Sequence, residues 1–269
     1  MNNIFNNEEK FHDEWAKSEK IDSILVDDNF ESCVVPEKKF VMSNLGDIKD
    51  KKLLDIGCGL GESSVYFAKK GAEVYASDIS MEMLRKTLEL ADIHNVKLNV
   101  LKSTSDKIDI EDEYFDIVYA GDILHHVDID DTLKEIKRIL KKDGIFICIE
   151  PLAHNPAINI FRLLSPKVRT KDEHPLKMKD VKLFNKYFKN VKYDMFWFIT
   201  NYIFFKYYFF DKVDPNKERY WKKIIEDANN VEKLYYKLEN VDNFIKKVFP
   251  FIKSWFRYIV IVGNNRIDL

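Results

Sequence analysis

Residues 53–61 read Leu53-Leu54-Asp55-Ile56-Gly57-Cys58-Gly59-Leu60-Gly61, and a second acid, Asp78, follows 23 positions after Asp55. Between them lie a helix-like stretch closed by Gly71 and the apolar run Val74-Tyr75-Ala76. The order is strand, glycine turn, helix, strand, acid, which is the nucleotide-binding half of a doubly wound sheet. Asp55 stands directly ahead of the glycine turn, where its carboxylate would repel a pyrophosphate. The spacing Gly-x-Gly-x-Gly also departs from the Gly-x-Gly-x-x-Gly of dinucleotide sites, so a nicotinamide-dependent oxidoreductase is rejected. A ligand with an adenosine but no phosphate would tolerate both features.

Working outward, the rhythm of alternating helix and strand runs from about residue 36 to Pro151. Pro36 opens a short helical stretch ending near Gly46, Lys51 to Ile56 is strand one, and Glu62 to Lys70 is the helix after the turn. Ser80 fits an N-cap, followed by an apolar face of Met83, Leu84, Leu88 and Leu90. Val96 to Leu101, Phe115 to Ala120 and Ile145 to Ile149 read as further strands. The helix before the last of these starts at Asp130 or Asp131 and ends at Asp143-Gly144. Near-continuous apolar strands point to a mostly parallel sheet covered on both faces. After Pro151, Ala157 to Leu164 and Met178 to Phe188 look helical, Val191 to Phe196 is strand six, and Arg257 to Val262 is the last strand.

The bulk numbers narrow the field. A chain of 269 residues buries a real core without staples. A net charge of −2 gives no general drive toward nucleic acid. The cysteines, Cys33, Cys58 and Cys148, have no disulfide or metal spacing, and the N-terminus has no apolar signal core. A reducing, cytoplasmic setting is the expectation. The compositional oddity is 20 Phe, 13 Tyr and 4 Trp. Many fall in 195–210, a stretch too short and interrupted for a membrane span. Apolar residues beside a modest basic excess in 198–254 suit contact with a membrane surface, which would make the protein peripheral at its inner face. A helical cap packed on its own enzyme explains the same composition equally well, and self-association into a homo-oligomer would cover the same surface.

These motifs resemble the class I, Rossmann-like S-adenosylmethionine-dependent methyltransferases, in their type 11-like small-molecule group, to which quinone and sterol methyltransferases belong. The resemblance is carried by Leu53 to Gly61, by Asp78-Ile79-Ser80 with Met83-Leu84, and by Phe115-Asp116-Ile117-Val118. It continues through Leu124-His125-His126 and Arg138 to Gly144, closing at Glu150-Pro151. Phe11 to Ala16, His154-Asn155-Pro156, Arg169 and Asp172 to Leu176 are similar to a bacterial subgroup found with polysaccharide, lipid or natural-product genes. The resemblance implies an α/β fold with a doubly wound, mostly parallel seven-stranded sheet and an aromatic-rich helical insertion before the last strand. Residues 1–50 would form an N-terminal lid, 51–197 with 255–265 the cofactor domain, and 198–254 the insertion.

The implied cofactor is S-adenosylmethionine. Gly57, Cys58, Gly59 and Gly61 would admit its methionine and ribose parts, and Asp55 would hold the turn and the ammonium end, directly or through water. Asp78 would accept both ribose hydroxyls, while Ile79 and Met83 wall the adenine. The family's adenine-contacting acid falls here on Thr104, with Ser103 and Ser105 beside it; a register two residues later would place Asp106 there instead. Gly121 would lie near the sulfonium. For proton removal His126 and His154 are the candidates, with Glu150, His174 and Arg169 around the acceptor, Arg169 as a clamp for an acidic group or as half of an internal ion pair. Packing alone is the rival account of His126. The histidines and Glu150 have no dedicated ligand spacing, so no metal is expected.

The expected reaction is methyl transfer to a small, hydrophobic or lipid-linked acceptor, at oxygen first and at nitrogen or carbon otherwise. A protein or nucleic-acid acceptor is the alternative, though the chain has no Asn/Asp-Pro-Pro-Tyr/Phe run and no basic surplus. A non-catalytic binding protein is the further one, but Asp78 and the glycines are intact.

Overall fold

The computed structural model describes residues 2–164 and 173–265. Strand β1 (Lys52–Ile56) pairs in parallel with β2 (Glu73–Asp78) on one side and β4 (Phe115–Gly121) on the other. Strand β3 (Asn99–Lys102) extends the sheet beyond β2, and β5 (Leu140–Pro151) lies beyond β4. The last two strands, β6 (Lys189–Phe196) and β7 (Tyr258–Asn264), arrive in reversed order. β7 inserts antiparallel between β5 and β6, giving the order β3-β2-β1-β4-β5-β7-β6. The sheet is therefore seven-stranded and mostly parallel, and its order reverses beside β1.

The period-two alternation of each strand divides the core. Leu53, Val74, Ile117, Tyr119 and Ile147 face one layer. Leu54, Ile56, Val118, Phe146 and Cys148 face the other. Helices α3 (Pro36–Leu45), α4 (Glu62–Lys69) and α5 (Met81–Ile93) supply Val41, Phe67 and Leu90 to the first layer. Helices α6 (Ile129–Ile139) and α8 (Val181–Tyr187) supply Leu133, Ile136 and Phe184 to the second. Ser80 caps α5 as expected, its hydroxyl accepting the Met83 N–H at 3.1 Å.

Three boundaries differ from the sequence reading. Helix α6 begins after the cap Asp128, whose carboxylate accepts the Asp131 N–H, and ends at Ile139. β5 then starts at Leu140, four residues before the break at Gly144. Phe115 pairs with Leu140 but Ile117 with Ile145, so extra residues around 141–144 bulge from the ladder. The Asn265 amide holds that bulge by donating to the Leu140 and Lys141 carbonyls. β3 starts at Asn99 because Asn95, left-handed at φ 55°, and the Val96 N–H to Ala91 bond belong to the end of α5.

Two further parts complete the molecule. Helix α1 (Asn2–Ser18) precedes the short helix α2 (Asp28–Glu31), and α7 (Pro156–Leu164) follows β5. Between β6 and β7 run a 3-10 turn at Ile199–Asn201, then α9 (Tyr202–Phe209), α10 (Tyr220–Glu226) and α11 (Ala228–Val248). Part of the aromatic surplus is buried here, while Tyr202, Phe209, Phe210, Phe244, Phe251 and Trp255 stay exposed. Trp197, Phe204, Tyr207, Tyr220 and Tyr235 form a buried cluster with Val34, Val35 and Ile158. Asp242 of α11 ties the cluster to β6, accepting from the Phe198, Ile199 and Thr200 N–H groups and from the Thr200 hydroxyl. No helix among the described residues is long and apolar enough to cross a membrane.

Candidate active site

The carboxyl ends of β1, β2 and β4 open into a cavity of about 560 Å³, at the switch point where open α/β sheets bind ligands. At one end the glycine turn lies against the tip of β2. Gly57 and Gly59 have φ of 67° and 55°, a region that side chains seldom adopt. A Cβ on Gly57 would strike Ile123 at 2.9 Å, whereas one on Gly59 would meet nothing within 4 Å, so the turn presents bare backbone to the cavity. The Gly59 N–H donates to Asp78 at 3.0 Å, and the Ser80 N–H donates to the other Asp78 oxygen at 2.8 Å. Asp78 is thereby aimed into the cavity, and burial raises its pKa although these backbone donors work the other way.

Asp55 lies beneath the turn, accepts the Ser64 hydroxyl at 2.6 Å and lines the cavity. Burial pushes its pKa up to about 7, against the lowering effects of Ser64 and Lys38. Cys58, Ile79, Thr104, Ser105 and Gly121 line the same space. Asp106 does not.

Several expected residues fall elsewhere. Met83 is fully buried in the sheet-facing core and walls nothing. Gly61 does not line the cavity; a Cβ there would run into Thr87 at 2.6 Å, so its role is to let α4 pack on α5. His154 and His174 are exposed and off the cavity wall. His174 contributes its backbone instead, donating to the His125 carbonyl at 2.7 Å. Glu150 is fully buried behind the loop rather than in the cavity. One of its oxygens accepts the Ile123 and Leu124 N–H groups, and the other sits 2.7 Å from His125 Nδ1. Burial raises its pKa to about 8 in spite of those donors. Glu150 is a positioning residue for the histidine loop. Arg169 lies outside the described residues.

His126 does line the cavity, with Nδ1 3.4 Å from Glu8 of α1. His125, which the sequence reading did not name as a site residue, lines it too. Also missed was Lys38, whose ammonium donates to the Tyr119 hydroxyl at 2.8 Å. α1 is fixed to the cofactor end by Ser80 donating to Asp13 and by Lys102 paired with Glu9. At its other end the Arg219 guanidinium stacks 3.7 Å over Trp15, and Lys222 and the Trp15 indole both donate to Glu19. Those bonds hold the Glu19 carboxyl below its ordinary range despite burial. A lysine in the run Glu37-Lys38-Lys39 looks like a surface residue, and nothing in sequence pairs Trp15 with Arg219 across two hundred positions.

The sheet order and glycine turn define the class I methyltransferase fold, and residues 54–148 match the family model described as methyltransferase domain. The chain thus carries an S-adenosylmethionine-dependent methyltransferase domain of the type 11 group. It is similar to ubiquinone biosynthesis O-methyltransferase of Rickettsia bellii, 30% identical over 108 residues that cover 40% of this chain and 45% of that protein. It is also similar to demethylmenaquinone methyltransferase of Staphylococcus aureus, 32% identical over 151 residues, 54% of this chain and 59% of that one. The chain spans about half the length of these curated relatives. In fold it resembles phosphoethanolamine N-methyltransferase 2 of Haemonchus contortus, in complex with S-adenosylmethionine, with a TM-score of 0.56 and 17% identity over 86% of this chain and 53% of that chain.

The residues present fit that cofactor. Beyond the bare glycine turn and Asp78, the Ser103 hydroxyl is buried at the cavity wall without a hydrogen-bond partner among the described residues. A buried polar atom of this kind is costly unless a ligand or water meets it.

Proposed function

We propose that the protein methylates a small, hydrophobic or lipid-linked acceptor, of the quinone type named for its relatives, with oxygen the favoured target atom. The observation that carries this is the single cavity running from Asp78 and the glycine turn to the His125–His126 loop, roofed by α1 and α10. Its volume falls within the range of about 300–1,000 Å³ usual for small-ligand sites. A roofed cavity supports a small acceptor over a folded protein or a duplex. S-adenosylmethionine supplies an electrophilic methyl group. The chain's own residues do the rest: Asp78 and the turn orient the donor, Gly121 leaves its path open, and the Trp15–Arg219 closure excludes water. A Cβ at Gly121 would also meet the Tyr119 hydroxyl at 2.6 Å. At the far end His126 is placed to take the proton released from an acceptor hydroxyl.

Calorimetric titration with S-adenosylmethionine and S-adenosylhomocysteine, with Asp78→Ala in parallel, tests the cofactor half. Saturable binding by the wild type, weakened at least about a hundredfold in the variant by loss of two charge-assisted hydrogen bonds, is expected. Absence of binding by the folded wild type, with or without a lipid extract as acceptor source, would sink the reading.

A further inference from the structure

The acceptor end of the cavity holds a group of side chains that proton transfer alone does not explain. His125, His126 and Glu173 each offer a ligand atom, and these atoms lie within 4.8 Å of one another. All three residues line the cavity. We propose that they bind a divalent transition metal of the zinc type, leaving a coordination position open toward the cavity for an acceptor oxygen.

Three features support this. The donor set, two imidazoles and one carboxylate, is one used by catalytic zinc sites that keep a fourth position open. His125 is backed in the way metal-bound histidines usually are. Its Nδ1 is 2.7 Å from the buried Glu150 carboxylate, which is itself held by two backbone N–H groups. With Glu150 ionised, an Nδ1–H donated there puts the lone pair on Nε2 and fixes the ring's direction. Glu173 is brought to the pair by backbone, since its neighbour His174 donates to the His125 carbonyl. Leu176 then bonds both Pro151 and Ala153 beyond it. The two histidine rings, 4.1 Å apart between centroids, come from one 3-10 turn, Leu124–His126. Tetrahedral coordination at about 2.0–2.1 Å needs ligand atoms ~3.3 Å apart, so the side chains must draw in by up to about 1.5 Å. Rotation of Glu173 and His126 can supply that without moving the turn. Glu8, 3.4 Å from His126 Nδ1, adds negative charge at the same place.

The site itself does not depend on the methyl-transfer reading; only the acceptor oxygen as fourth ligand rests on it. With metal bound, His126 is a ligand, and the metal rather than a free imidazole favours the deprotonated acceptor. Sequence spacing conceals the group, because adjacent histidines and a glutamate 47 positions on match no dedicated ligand pattern.

The test uses the full chain, stripped with chelator and free of cofactor. Co²⁺ is titrated while its visible ligand-field absorption is followed, and Zn²⁺ is then added in competition. Saturable uptake of one equivalent is expected, displaced by Zn²⁺. His126→Ala and Glu173→Gln should each weaken it by about a hundredfold or more, and Glu150→Gln by about 10–100-fold through loss of the His125 orientation. His154→Ala and His174→Ala, which alter exposed histidines off the cavity, should leave it unchanged. Circular dichroism and thermal melting check that each variant is folded. No saturable binding by the folded wild type overturns the proposal, as does binding that survives His126→Ala and Glu173→Gln or disappears with His154→Ala. Cofactor binding without metal binding would sink this inference alone, and metal binding without cofactor binding would sink the methyl-transfer reading alone.

Discussion

Asp55 offers the sharpest prediction because its protonation should govern cofactor affinity near neutral pH. Its carboxyl is buried, bonded to Ser64, and raised to about 7 in the cofactor-free protein. If it holds the ammonium end of S-adenosylmethionine, binding requires the ionised acid and the protonated amine together. About a tenth of Asp55 is ionised at pH 6 and roughly 70% at pH 7.4, while an α-amino group titrates near 7.7–8.0. The product of the two fractions rises about fivefold from pH 6 to 7.4 and falls again above pH 8. Calorimetric association constants from pH 6 to above pH 8 should therefore trace a bell with its maximum near pH 7.4, about midway between the two pKa values. Asp55→Asn keeps an acceptor for the Ser64 hydroxyl but cannot ionise, so its rising limb should vanish. The sign of the stability effect follows from the same shift. Between about pH 4 and 7 the folded protein holds a proton on Asp55 that the unfolded chain has released, so this residue's contribution falls as pH rises. The difference in melting temperature between Asp55→Asn and wild type should grow in the variant's favour from pH 5 to 7.5, and saturating cofactor should shrink it. Wild-type affinity that is flat or decreasing from pH 6 to 7.4, or a rising limb retained in Asp55→Asn, would refute the placement of Asp55.

Two more predictions concern the closure and the insertion. Arg219→Ala removes the stack on Trp15, worth about 1–2 kcal/mol when desolvated, so amide hydrogen exchange in α1 should quicken roughly 5–30-fold. Unchanged exchange there would mean that α1 is held by its cofactor-end contacts alone. Asp242→Ala strands three backbone N–H groups and a hydroxyl at the start of the insertion. It should cost about 3 kcal/mol, read as a lower urea midpoint at constant slope. An unaltered midpoint would show that water replaces the carboxylate there.

Much of the nucleotide-binding half could be read from local pattern. The glycine turn needs backbone that only glycine supplies cheaply, strands buried on both faces need unbroken apolar runs, and Ser80 caps its helix through atoms three residues away. Asp55, Gly57, Gly59 and Asp78 were legible on that basis, because they sit at the ends of β1 and β2 or in the turn after β1, whereas His126, in the turn Leu124–His126, was named from the family resemblance. Boundaries were less so. The bulge at 141–144 is set by an amide from Asn265, far along the chain, and no local signal announces it.

The sequence by itself determined the layers, the cofactor end of the cavity and the class of ligand, since these follow from interactions within one strand-turn-helix unit. Tertiary structure alone decided the acceptor end. It drew α1 and α10 together through Trp15 and Arg219, and it turned part of the aromatic surplus into a buried cluster. It left His154 and His174 exposed off the cavity, set Glu150 behind the loop, and joined His125 and His126 to Glu173. Those outcomes depend on the packing of segments tens to hundreds of residues apart, which short-range periodicity does not encode.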